Sequence, residues 1–172
     1  MFSGVSVAGN AVWLNGATVR GYQMGPAGPV RLGSSTGKVF GSSVVQQKLQ
    51  AITRSAANPQ LLEREHAAVM ARGQDAEAVL ASGLPLNGPW ATNGQTATTD
   101  PLLQYVEPDT GKSSLNSLAY QLQAVARSIA ARDTLGMNRQ VFFVSLGGFD
   151  SHDNQPIMHA RNMARLAHAL AY

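Results

Sequence analysis

Cysteine is absent from the 172-residue sequence, which excludes disulfides, thiolate metal sites and a cysteine nucleophile. Charge is scarce too: charged residues make up 13% of the chain against 44% apolar ones, a low share for a free-standing soluble domain. With many Gly, Ala, Ser and Gln in their place, part of the surface is expected to be covered by more protein. No run of about 20 apolar residues exists to span a bilayer, and Met1–Gly16 lacks the charged start and apolar middle of a signal peptide. Lys and Arg form no cluster, so the formal charge of +3 is only weak evidence for nucleic acid or an anionic membrane, and no nucleic acid is expected as a partner. Trp13, Trp90 and Tyr105 are scattered and offer no platform for stacking bases.

What is there is one domain's length, organised around Arg139–Tyr172. Val141–Leu146 is an uninterrupted apolar run rich in Val and Phe, the pattern of a strand buried on both faces, as in a parallel sheet covered by helices. Gly147 and Gly148 end it in a turn open to unusual backbone angles. Phe149, Asp150, Ser151 and His152 follow, then a helix from about Pro156, with Asp153 or Asn154 as its cap. In open α/β sheets ligands bind at the carboxyl ends of strands. Asp150 and His152 are of the types that ligate a divalent metal, a hard oxygen and an imidazole. The alternative reading has Asp150 bonding the turn's own amides and His152 simply exposed. His159 is a third ligand, an orienter of one, or a polar helix residue; the last is the expectation. Ser151 has no general base other than its neighbour and reads as structural, and Gln155 as part of the helix cap.

Taken in order, the chain opens on Val5–Val7 and Ala11–Leu14, which flank Ala8-Gly9-Asn10 as a hairpin. Thr18–Tyr22 and Pro29–Leu32 are further extended pieces, making 1–41 a β-rich section closed by the Gly33–Gly41 loop. Residues 42–82 read as helical. One helix spans about 43–56 with Val45, Leu49 and Ile52 on one face, Asn58-Pro59 breaks it, and a second spans about 60–81, where Gly73 is a place for a bend. Residues 83–112, centred on ATNGQTATTDP, read as a long exposed loop. A helix over about 114–135 presents Leu115, Leu118, Leu122, Val125, Ile129 and Ala130 to a core, and Gly136 closes it. Residues 113–172 are thus a helix–strand–helix unit of a parallel sheet. In its last helix, Ile157, Ala160, Met163, Ala164, Ala167, Leu170 and Ala171 make an apolar stripe opposite Arg161, Arg165 and His168. The stripe runs to Tyr172 without a cap, so 1–172 is expected to be one partial domain, an internal fragment of a larger one.

Three motif-like pieces fail on inspection. Gly111-Lys112-Ser113 ends like a phosphate-binding loop, but position 106 is Val and no buried strand precedes it. Gly33–Val39 has the wrong spacing and no hydroxyl after Lys38. Glu63, Glu65 and His66 are not in the order of a helical zinc protease site.

The run TLGMNRQVFFVSLGGFDSHDNQ, followed by a His-containing helix, resembles the signature of the domain of unknown function 1501 family, bacterial proteins of the alkaline-phosphatase and sulfatase-like superfamily. Gly147, Gly148, Phe149, Asp150, His152, Gln155 and His159 match its pattern, with Ser151 in place of the usual Thr. The resemblance implies an α/β fold, a fragment of an alkaline-phosphatase-like parallel-sheet domain with a small β-hairpin section at its N-terminal end. It implies export through the twin-arginine route to a periplasmic or secreted location, and a divalent metal (zinc, calcium or magnesium) held in part by Asp150 and His152. The activity implied is hydrolysis of phosphate or sulfate esters. The remainder of the parent domain is the implied partner, since the family's Gly-Gly-Asn-Asp, Asp-Phe-Gly-Arg and Asp-His-Gly segments lie outside this stretch. A non-catalytic exported binding protein on the same scaffold is the alternative.

Overall fold

The computed structural model describes residues 2–18, 20–33, 37–56 and 60–172. The chain is mixed α/β and forms two compact units, Met1–Gly28 with Leu84–Tyr172, and Pro29–Gly83.

The first unit is built on three parallel strands. β1 (Gly4–Ser6) lies in the centre, between β2 (Tyr22–Gln23) and the strand Val141–Phe143. In register, Val5 faces Tyr22 on one side and Phe142 on the other. The centre of the sheet is therefore not the apolar run after residue 140. Val141 is 61% exposed and its strand is an edge, whereas Val5 is 1% exposed. β1 is central because its backbone is paired on both sides: beyond the ladders, Val7 N bonds Phe143 O and Met24 N bonds Ser6 O, each at 2.9 Å. The N-terminal hairpin is likewise corrected. Val12–Leu14 is a single 3-10 turn that sets Leu14 against Gly4 rather than pairing with β1 as a strand. Among the described residues Pro29–Leu32 contains no strand.

The stretch expected as loop through residue 112 carries a hairpin. Asp100 caps a 3-10 turn, Pro101–Leu103, which leads into β3 (Gln104–Val106), paired antiparallel with β4 (Ser113–Leu115). Burial of Leu103 and Tyr105 anchors it. α3 (Ser117–Ala130) then starts later than the periodicity places it, because Asn116 takes the cap position and accepts from Leu118 N and Ala119 N. Gly136 adopts φ 64° and closes the turn after α3, with Met137 N bonding Arg132 O at 2.8 Å. β5 (Val141–Phe143) and α4 (Gln155–Ala171) complete the unit. Its core joins Leu103, Leu118, Ala119 and Ala169, with Val144, Leu146, Leu166 and Tyr172 packed around them.

Two helix faces differ from expectation. α3 buries Gln121, Gln123 and Ser128 alongside Leu118 and leaves Ile129 exposed. α4 is turned further: Asn162 and Ala169 are buried, while Ile157, Met163 and Leu170 of the apolar stripe are exposed. The polar side wins because it carries the matching groups. Arg165 O accepts from the buried Asn116 Nδ2 at 2.8 Å, and Arg165 Nε donates to Tyr105 Oη at 2.8 Å.

The second unit is a helical pair. α1 (Ser43–Thr53) is capped by Ser42, and α2 (Leu61–Gly83) runs through Gly73 without a break. Gln74 Nε2 bonds Thr53 Oγ1 at 2.8 Å and Arg54 pairs with Asp75 at 2.7 Å. Val45 and Ile52, read as sharing one face of α1, are exposed. The breaker Asn58-Pro59, the middle of the Gly33–Gly41 loop and Val19 lie outside the described residues. No helix among the described residues is long and apolar enough to cross a membrane.

Candidate functional site

Beyond β5, Val144–Leu146 has no further strand beside it among the described residues. A side chain takes that place. Gln121 Oε1 accepts from Ser145 N and Gln121 Nε2 donates to Ser145 O, both at 2.9 Å. The amide thus satisfies an edge that would otherwise carry unpaired groups, and Val144 and Leu146 pack on the core cluster. The segment is fixed before it reaches the glycines.

The turn itself depends on Gly148. Its φ is 87°, its carbonyl accepts from the buried Asn162 Nδ2, and a Cβ there would stand 3.2 Å from that nitrogen. Gly147 has open space around its Cβ position and no left-handed angle. The backbone then delivers Phe149, Asp150, a half-buried Ser151 and His152 to the surface. Asp150 and His152 are both exposed, and no group among the described residues bonds the Asp150 carboxylate or the His152 ring. The alternative in which Asp150 satisfies the turn's amides is therefore not what the turn does.

α4 begins without a side-chain cap. Asn154 occupies the cap position at φ 50° and bonds through its carbonyl instead, accepting from Ile157 N and Met158 N at 3.1 Å. Neither Asp153 nor Asn154 caps by its side chain, and Gln155 is the first helical residue. His159 is exposed, as a polar helix residue would be. Arg161 and Arg165 are already engaged. Arg161 forks onto Asp109 at 2.5 and 2.6 Å beside Glu107, and Arg165 lies 5.4 Å over the Tyr105 ring.

The donor types of Asp150 and His152 suit a divalent metal, but the number falls short. A catalytic zinc keeps three protein ligands, and the described residues hold no group of three or more His, Asp or Glu that could bind an ion. Compared with protein-family models, curated proteins and solved structures, the chain matches none. What fold and site define is the class: a mixed α/β chain with a three-stranded parallel sheet, presenting a carboxylate and an imidazole beyond one strand's carboxyl end. Sequence reading missed Gln121 and Asn162, the side chains that hold the turn. Asn162 gave no signal, because it lies off the apolar stripe of α4 and is buried only in the folded chain.

Proposed function

We propose that this chain is part of an exported metal-dependent hydrolase of the alkaline-phosphatase and sulfatase-like kind, acting on phosphate or sulfate esters, with Asp150 and His152 as two ligands of a divalent ion. The supporting observation is the state of that pair: both side chains are exposed and unpartnered, on a turn that leaves a parallel strand at the end where such sheets bind ligands. A bound metal would polarise an ester oxygen and supply a hydroxide at neutral pH. This chain's own residues present the donors, with Gly148 and Asn162 shaping the turn and Gln121 anchoring its approach. Because two donors are fewer than a catalytic centre needs, the chain by itself is expected to hydrolyse neither ester, and further ligands belong to the remainder of the parent domain.

Calorimetric titration of the chain with zinc and with manganese tests the ligand role. Weak binding that disappears in Asp150→Ala and in His152→Ala is expected. Affinity unchanged by both substitutions sinks it. In a longer protein, chelator-sensitive hydrolysis of a phosphate or sulfate ester supports the enzyme. Metal retained without hydrolysis favours a non-catalytic binding protein on the same scaffold.

A further inference from the structure

A cleft of about 450 Å³ lies within the first unit, between the segment after Leu84 and one side of α3. Its volume is in the range of small-molecule sites. Asn87, Asn93, Asp100, Tyr120, Gln123 and Arg127 line it. None of them belongs to the turn that carries Asp150 and His152.

The charges in this cleft are unequally satisfied. Asp100 is buried and fully engaged: it accepts from Thr92 N at 3.0 Å, Thr92 Oγ1 at 2.8 Å and Leu102 N at 3.0 Å. Burial alone would raise its pKa, and these bonds outweigh it, holding the carboxyl below its ordinary value. Arg127 is the opposite case. It is half-buried, its Nε donates to Pro85 O at 2.9 Å, and neither Nη has an acceptor among the described residues. No carboxylate among them pairs with it either, unlike Arg31, Arg54, Arg72 and Arg161. Burial pushes its pKa down, as expected of a cation losing water without a counter-charge. A guanidinium fixed at Nε keeps its planar fork free, the geometry that matches a carboxylate, sulfate or phosphate with two parallel bonds. The Asn87 and Asn93 amides are also without partners among the described residues and offer donors and acceptors beside it.

We propose that this cleft binds a small polar ligand through an oxyanion group, with Arg127 pairing to the oxyanion and the Asn87 and Asn93 amides contacting the rest. This site does not rest on the hydrolase reading. The test is an NMR titration of the isotope-labelled chain with sulfate, inorganic phosphate and acetate, each against chloride at equal ionic strength. Saturable shifts confined to the amides of Asn87 and residues 92–97 and to the Arg127 Nε are expected for at least one anion, and the three arms identify the group. Arg127→Lys keeps stem and charge but loses the fork, and should weaken binding about tenfold. An Asp150→Ala, His152→Ala double variant should bind as the unaltered chain does, so that failure here and failure of the metal ligands are told apart. No saturable shift with any anion, shifts spread over the whole basic surface, or an affinity untouched by Arg127→Lys would overturn the proposal. Should Arg127→Lys not fold, the titration of the unaltered chain decides alone.

Discussion

Gly147 and Gly148 are neighbours of one type, yet the backbone demands glycine at one of them. A side chain at Gly148 meets both a positive φ and the Asn162 amide, while one at Gly147 meets neither. Gly148→Ala should cost about 1–2 kcal/mol, and Gly147→Ala should stay within about 0.5 kcal/mol. Urea midpoints of the two variants check this, and equal shifts would contradict the turn described. From sequence the doublet was legible as a turn. Which glycine was strained was not, because that depends on Asn162, fourteen residues away. Tyr172 makes a second residue-scale case. Burial raises its hydroxyl pKa to about 12 from 10.0, and that hydroxyl donates to Trp90 O. A raised folded-state value means the contribution is intact below pH 10 and is lost as pH climbs through about 12. Stability should therefore fall across that window, and fall less steeply in Tyr172→Phe; identical pH profiles would remove Tyr172 from the account.

At the scale of elements, α4 shows how a helix can be placed against its own periodicity. The apolar stripe was plain in the sequence, and an apolar stripe is normally the buried one. Here Asn116 outweighs it. This residue is fully buried and uses both ends of its amide: the oxygen caps α3, and the nitrogen donates to Arg165 O and approaches His168 Nδ1 at 3.1 Å. Nothing local to α4 announces a partner some fifty residues upstream, so the facing could not be read from the helix. Asn116→Ala strands the α3 amides and removes its bond to the Arg165 carbonyl, and should destabilise the first unit by about 2–4 kcal/mol. By contrast, Leu170→Gln on the exposed stripe should change stability by less than about 0.5 kcal/mol. Chemical denaturation of both variants gives the comparison; a large loss from Leu170→Gln would mean that the stripe, not Asn116, orients the helix.

Across the whole molecule, the class of fold was readable and its centre was not. Helix, buried strand, turn and helix after residue 113 implied a parallel sheet, and the chain has one. That strand was legible as Val5–Val7 but its central place was not, because it is three residues long and includes Ser6, whose hydroxyl is hidden by bonding Asn10 O. Hydrophobic runs report burial of side chains, whereas the middle of a sheet is set by backbone pairing on two sides. The candidate site was legible in residue types, since Asp150 and His152 stand beyond a strand's end, but its support by Gln121 and Asn162 depends on tertiary contacts.

Charge is the last whole-molecule property, and it argues about partners. A protein that grips nucleic acid releases counterions by setting free cations against phosphates. The excess here is +3, and the arginines that might form a track are held by carboxylates: Arg31 by Glu77, Arg54 by Asp75, Arg72 by Glu65 and Arg161 by Asp109. Arg165 is stacked on Tyr105. To contact a phosphate, each would first have to break an existing interaction, which cancels much of what the new contact contributes. Fluorescence anisotropy with labelled duplex DNA and with single-stranded RNA should therefore show no binding at physiological salt. Micromolar binding that weakens steeply as salt is added would show that these pairs open and that the basic residues act together.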